Sequence, residues 1–186
     1  MKVSFFNIKI VMRHLALACC AALIASCDAP APSAAEKTPP VPDLKRPNLV
    51  VSDMERSLKI YRDILGLEAS EVRPGSADSF SYPVFNVPKD ANFRFVSLHE
   101  PGEERVLNLT EVTGMALPTP PSEPYMSALV IGIEDLEAKF KILASMGLKL
   151  TETDTAQGPD FRFIEQAFVD PDGHLIVCFE VIQPER

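Results

Sequence analysis

Val51, Ser52, Asp53, Met54 and Glu55 return 82 positions later as Ile133, Glu134, Asp135, Leu136 and Glu137, and this return decides the fold. Each stretch runs from a short apolar strand into an Asp able to cap a helix, then into an amphipathic helix that closes on a Gly-Leu pair. Met54, Leu58, Tyr61 and Ile64 have the i, i+4, i+7 spacing of one helix face, and Leu136, Phe140, Leu143 and Met146 keep the same offsets. Asp53 and Asp135 stand where a carboxylate oxygen can accept from orphan helix N–H groups. Gly66 and Gly147 suit the left-handed residue that ends a helix, and the second comes one residue early, which predicts a slightly shorter second helix. Strands are expected over 67–72, 93–99 and 106–112 in the first copy, and over 148–153, 162–169 and 174–182 in the second. The unit reads βαβββ twice, so the fold class is α+β with a duplicated module.

Upstream of the repeat the chain changes character. Lys2, Lys9 and Arg13 precede an apolar run at 15–25 that is short for a membrane span and ends before a Cys, the pattern of a secretory signal. Ile24, Ala25, Ser26 and Cys27 resemble the bacterial lipobox, which implies a signal over 1–26 and lipidation, with palmitate among the acyl chains, at Cys27. Asp28 resembles the residue that retains such lipoproteins in the inner membrane, so the expected location is the periplasmic side of the cell envelope, inner membrane favoured. Residues 28–44 carry five prolines and little that packs, a tether reaching roughly 50 Å in polyproline form. One domain is expected over 45–183, with module one at 45–113, a proline-rich linker at 114–124 and module two at 125–183. Segment 79–92, with Pro83 and Pro88, is an insertion in module one with no evident place on the sheet.

Without residues 1–26 the chain keeps 15 basic and 26 acidic side chains, a net charge of −11. That surface argues against nucleic acid and against electrostatic docking on anionic lipid. Of the four cysteines, Cys19 and Cys20 leave with the signal and Cys27 is acylated. Cys178 is then alone, in an apolar strand, and reads as a buried inert thiol rather than a reactive one.

The segments LVVSDMERSLKIYRDILGL (49–67), LVIGIEDLEAKFKILASMGL (129–148) and FVDPDGHLIVCFE (168–180) resemble the vicinal oxygen chelate superfamily, also called glyoxalase/bleomycin resistance/extradiol dioxygenase. The resemblance implies that the two modules pair into a curved, cup-shaped mixed sheet, with helices on the convex side and ligand in the concavity. It also implies four metal-ligand positions: one in each opening strand, seven residues before the capping Asp, and one in each closing strand. Those positions hold Arg46, Ala128, Asn108 and Val177 here. Arg has no lone pair for a metal, Ala and Val have no donor atom, and one Asn carbonyl is a weak neutral ligand. No metal or other cofactor is therefore expected. His99 reads as a rim residue, His174 as a solvated strand start, and Asp170 and Asp172 as turn residues bonded to their own backbone. A site from His99, Glu111 and Glu180 has no spacing to recommend it.

Strand alternation names the residues that share a face with those positions: Arg46, Asn48 and Val50 beside Val106, Asn108 and Thr110, and Ala128, Val130 and Gly132 beside Leu175, Val177 and Phe179. The expected ligand-lining set is Arg46, Asn48, Asn108, Thr110, Val130, Val177 and Phe179, suited to an amphiphilic anion with its head at Arg46 and its body on Phe179, although an ion pair is the commoner use of an edge Arg. Three functions compete: a metal-free, membrane-tethered small-molecule binder, which is favoured; a lyase, isomerase or dioxygenase with a non-standard site; and an interaction module whose cup is filled by Leu175, Val177 and Phe179. Pairing of two chains through module edges is compatible with all three.

Overall fold

The computed structural model describes residues 45–120, 123–158 and 161–183, so the signal, Cys27 and the tether lie outside the described residues. Module one contains β1 (Asn48–Val51), α1 (Met54–Leu58) continuing as a π-helix over Lys59–Ile64, β2 (Glu68–Ala69), β3 (Arg73–Pro74), α2 (Ser81–Phe85), β4 (Asn92–Glu100) and β5 (Glu103–Thr113). Module two contains β6 (Leu129–Gly132), α3 (Leu136–Ser145), β7 (Lys149–Leu150), β8 (Asp154–Gln157), β9 (Arg162–Val169) and β10 (Leu175–Ile182). The sheets run β1-β5-β4-β2, with β3 also on β4, and β6-β10-β9-β7, with β8 also on β9. In each, the opening strand lies parallel to the closing one and all other pairs are antiparallel. The duplicated βαβββ module is thus what the chain forms. Among the described residues, no helix is long and apolar enough to cross a membrane.

The helix stripes read from the sequence are buried: Met54, Leu58, Tyr61 and Ile64 in one helix, Leu136, Phe140 and Leu143 in the other. They enter a single core with Val51, Val96, Leu98, Leu107 and Leu109 of the first sheet and Phe168, Ile176 and Cys178 of the second. Hydrophobic burial therefore joins the modules as well as closing each. The one-residue difference between the copies has a structural cause. In the first helix Leu65 N–H bonds to Ile60 O, a wide i+5 turn, and Ile60 is fully buried. Its counterpart Ile142 sits in a regular turn and is half exposed. An extra residue taken up as a π-turn swings one more side chain into the core. Gly66 and Gly147 have φ of 96° and 77°, the left-handed conformation their positions require.

The stretches expected as strands at 67–72 and 148–153 form strand only at Glu68–Ala69 and Lys149–Leu150, and a second strand begins just beyond each, at Arg73 and at Asp154. At the break a hydroxyl enters the ladder: Ser97 N–H donates to Ser70 Oγ at 3.0 Å, and Ala167 N–H to Thr151 Oγ1 at 2.9 Å. A side-chain oxygen has replaced a carbonyl at equivalent points, and the chain steps to a new register beyond it.

Asp135 does not cap α3. Its φ of 54° is left-handed and its side chain makes no cap bond. Instead Glu180 of β10 accepts from Asp135 N–H and Leu136 N–H, both at 3.1 Å. In module one the two devices coexist: Asp53 accepts from Arg56 N–H at 3.0 Å, and Glu111 of β5 accepts from Met54 N–H at 2.8 Å. A carboxylate from the closing strand thus meets each helix N-terminus, where partial positive charge favours it.

The turn at 170–173 links the modules. Asp170 is buried and accepts from Asp172 N–H, His174 N–H and the Tyr61 hydroxyl. Asp172 accepts from Ser52 N–H, the Ser52 hydroxyl and Arg56 Nη2. His174, expected in solvent, is half-buried, and its Nε2 donates to Val50 O at 2.9 Å. This turn bonds Val50 O and Ser52 N–H along the edge of β1 that lies away from β5, where no strand pairs among the described residues.

Candidate functional site

Register places two faces on each sheet. In module one Arg94, Val96 and Leu98 stand opposite Glu111, Leu109 and Leu107 and turn toward the helices. Phe93, Phe95 and Ser97 stand opposite Val112, Thr110 and Asn108 and turn away from them, on what we call the outer face. Asn48 and Val50 join that outer face through their pairing with Asn108 and Thr110. In module two the outer face carries Val130 and Gly132 with Val177 and Phe179, and on β9 Phe163, Glu165 and Ala167. The alternation read from the sequence thus sorts Asn48, Asn108, Thr110, Val130, Val177 and Phe179 onto outer faces. They are divided between the two sheets, Asn48, Asn108 and Thr110 on the first and Val130, Val177 and Phe179 on the second.

The insertion at 76–91 lies over half of the first outer face. Tyr82 packs edge-on against Phe93 with ring centroids 4.8 Å apart, and its hydroxyl donates to Ala91 O. Phe85, Val87 and Leu117 complete a second apolar cluster with Val50, Phe93, Phe95 and Val112. The cluster fills the end of the face near Val112. Thr110, buried beside it, donates to Asn48 Oδ1 at 2.9 Å, so these two residues satisfy one another.

The other end of the same face is open. A cavity of about 420 Å³ lies there, and its lining mixes two cations, Arg73 and Arg105, with two carboxylates, Glu71 and Glu104, beside Ser70, Phe95, Val96, Ser97, His99 and Asn108. Asn108 Oδ1 is buried and has no hydrogen-bond partner among the described residues. A buried carbonyl oxygen left so is costly unless a donor reaches it. Arg105 N–H donates to His99 Nδ1 at 3.2 Å, which leaves the proton of the neutral imidazole on Nε2. Neither Arg73 nor Arg105 forms an ion pair with a described carboxylate, although Glu71 and Glu104 stand near. Arg46 is half-buried, and its Nε has no partner among the described residues.

The other candidates fare differently. Glu111 is held by Arg94 Nε at 2.5 Å and Nη2 at 2.7 Å, which keeps its carboxyl below the ordinary range. It faces the helices, while His99 faces outward and Glu180 belongs to module two's helix N-terminus. The set His99, Glu111 and Glu180 is therefore not assembled, and no group of three His, Cys, Asp or Glu side chains able to hold a metal occurs among the described residues. At the four family positions the donor chemistry does not suit a metal: of those side chains Asn108 alone offers an oxygen, and it is neutral. Cys178 is fully buried, and burial pushes its thiol up to about 12.

A cleft of about 570 Å³ runs between the modules, with Asn48 and Leu49 on one side and Ala128, Leu129, Gly173 and His174 on the other. A further gap of about 430 Å³ opens beneath α3, against Leu150 and Ile164. Both are lined mainly by groups already bonded or apolar. Arg73 and Arg105 carry no motif, and alternation along the opening and closing strands does not reach them. The same alternation along 93–99 sets Phe95, Ser97 and His99 on the face of Asn108.

Comparison with solved structures supports this architecture. The chain is similar to a glyoxalase family protein from Bacillus cereus, with a TM-score of 0.62, 13% identity, and coverage of 80% of this chain and 99% of that one. It is also similar to a glyoxylase/bleomycin resistance protein/dioxygenase domain from Frankia sp., with a TM-score of 0.50, 19% identity, and coverage of 78% and 95%. The fosfomycin resistance protein FosX from Listeria monocytogenes, complexed with Mn(II) and sulfate, gives 0.49 at 13% identity, covering 75% and 93%. No curated protein matches the sequence. The sequence profile of the Glyoxalase/Bleomycin resistance protein/Dioxygenase superfamily matches residues 43–178, and the chain belongs to that superfamily.

Proposed function

We propose that this chain is a membrane-tethered member of its superfamily that binds a small anionic molecule without a metal, in the cavity on module one's outer face. The observation that carries the reading is Asn108 Oδ1, buried and unpartnered among the described residues, in a cavity that Arg73 and Arg105 also line without an ion pair to a described carboxylate. An anionic head would take Arg73 and Arg105, a hydroxyl or ammonium on the ligand would donate to Asn108 Oδ1, and an apolar portion would lie on Phe95. This moves the ligand's head from Arg46 and its apolar body from Phe179, which belongs to the other sheet. The insertion closes the far end of the face, so the ligand is small. Tethering rests on the lipobox-like run ending at Cys27 and on the proline-rich segment after it, and it puts the domain within reach of solutes at the periplasmic face of the inner membrane.

The test has two arms on the full chain. Elemental analysis after incubation with zinc, nickel, iron(II) and manganese is expected to find less than stoichiometric metal, and stoichiometric metal would sink the metal-free reading. Thermal shift against short hydroxycarboxylates, alkylphosphonates and alkyl sulfates is expected to raise Tm for at least one class, following RT ln(1 + [L]/Kd). The gain should vanish in Arg73→Ala/Arg105→Ala. A gain that survives that double variant would place the ligand elsewhere. Palmitate incorporation lost in Cys27→Ala checks the anchor.

A further inference from the structure

The charges around the module-one cavity come in both signs, and two segments of chain each supply one of each. Glu71 and Arg73 belong to the stretch that carries β2 into β3, and Glu104 and Arg105 to the start of β5. None of the four forms an ion pair with another described side chain, so charges of opposite sign share one hollow without neutralising each other. All four are exposed, whereas Phe95, Ser97, His99 and Asn108 of the same lining are partly buried. Charge thus forms the rim of the cavity, and its floor holds the unpartnered Asn108 Oδ1. Arg105 adds a second mark of a built site. Its φ of 61° is a left-handed backbone that a residue with a Cβ seldom adopts, and its N–H is held by His99 Nδ1 at 3.2 Å. Strain of this kind gathers at residues that position a ligand.

We propose that the ligand of this cavity is a zwitterion, an α-amino acid with an apolar side chain, an inference that rests on the anion-binding reading above and narrows it. The carboxylate meets Arg73 and Arg105, and the Nε2–H of His99 remains as a further donor because Nδ1 is already taken. The ammonium carries three N–H donors; it gives one to Asn108 Oδ1 and faces Glu71 and Glu104 with the rest. The side chain lies on Phe95. Ligands of one sign fit less well. An alkyl sulfate has no N–H or O–H for Asn108 Oδ1, so that oxygen stays buried and unpaired, and its charge approaches two carboxylates. A hydroxycarboxylate donates one O–H but brings nothing positive to Glu71 and Glu104. An alkylamine answers the carboxylates and leaves both guanidinium groups without an anion. The volume of about 420 Å³ lies toward the small end of ligand cavities, which run from about 300 to 1,000 Å³, and so suits a single amino acid.

Isothermal titration of the full chain in nonionic detergent at neutral pH gives the test, with racemic leucine and phenylalanine set against their 2-hydroxy analogues and against the amines that lack the carboxylate. At least one amino acid should bind, and bind at least about tenfold more tightly than its hydroxy analogue and its amine, because the ammonium and the carboxylate each add charge-assisted hydrogen bonds. Glu71→Gln/Glu104→Gln changes two exposed side chains, so it should keep the wild-type circular dichroism while lowering the preference for amino acid over hydroxy acid at least about tenfold. A hydroxy acid that matches its amino acid overturns the zwitterion and leaves the anion site standing. An amine that matches it overturns the zwitterion and shows that the arginines are not engaged. A preference unmoved in the double variant also overturns it, since the ammonium then lies away from Glu71 and Glu104. Silence from all of these compounds overturns it too, and titration with alkyl sulfates then tells whether the anion site falls with it.

Discussion

Replacing Glu111 by Gln should destabilise the fold by about 2 kcal/mol at neutral pH, and the loss should fade in acid. The carboxylate accepts three hydrogen bonds, two from Arg94 in a bidentate grip and one from Met54 N–H at the helix start, and its side chain is 5% exposed. The amide keeps an acceptor for Met54 but turns an NH₂ toward the guanidinium. Hydrogen bonds to charged groups contribute about 1.5–3 kcal/mol. Arg94 is 42% exposed, so water takes up much of what it loses, which holds the cost below the 3–5 kcal/mol of a wholly buried pair. The converse variant, Arg94→Met, leaves a nearly buried carboxylate with one N–H and should cost more, about 3 kcal/mol. The folded carboxyl lies below its ordinary 4.5, first because of the Arg94 hydrogen bonds. Its contribution is therefore complete above that ordinary value and is lost as pH falls through the depressed one. Urea unfolding followed by circular dichroism, since the chain has no Trp, measures both variants from pH 7 to pH 3. A Glu111→Gln cost below about 0.5 kcal/mol, or one that does not shrink below pH 4.5, would refute the reasoning.

Tyr61→Phe removes the hydroxyl that donates to Asp170 at 2.8 Å and should cost about 1–2 kcal/mol in the same unfolding experiment, because Asp170 is buried. An unchanged midpoint would show that the two backbone N–H groups on Asp170 suffice. Cys178, with its thiol pushed up to about 12 by burial, should escape iodoacetamide in the native protein at pH 8 and react once urea is added; native labelling at the rate of a free thiol would contradict its burial.

How much of this was legible beforehand depended on whether the controlling force was local. The helix stripes and the left-handed Gly66 and Gly147 follow from spacing and sterics within a few residues, and the strand faces follow from period-two alternation. Asp135 had every local mark of a cap, yet Glu180, 45 residues away in sequence, reaches that N-terminus and the Asp backbone turns left-handed. The broken strands at Ser70 and Thr151 likewise depend on N–H groups of Ser97 and Ala167, which only the folded ladder presents. Arg73 and Arg105 carried no motif at all; they become a pair only when β3 and the β4–β5 hairpin meet around Asn108.

The insertion's attachment gives the sharpest separation between local and global stability in this chain. Gly75 N–H donates to Phe93 O at 2.8 Å, and a Cβ at Gly75 would lie 2.8 Å from Phe93 Cβ and 3.0 Å from the Phe95 ring. A Cβ is fixed to its backbone, so Phe93 cannot step aside as a long flexible side chain would; the strand or the insertion must shift. The cluster disturbed, Tyr82, Ala91, Phe93 and Val112, is separate from the core that holds both helices. Gly75→Ala should therefore loosen 76–91 without unfolding the domain. Limited proteolysis should cut within 76–91 at least about tenfold faster than in wild type, while the urea midpoint of the whole moves little. Equal cleavage rates would mean that the close approach is not what seats the insertion. A large fall in the global midpoint would mean that the two clusters unfold as one.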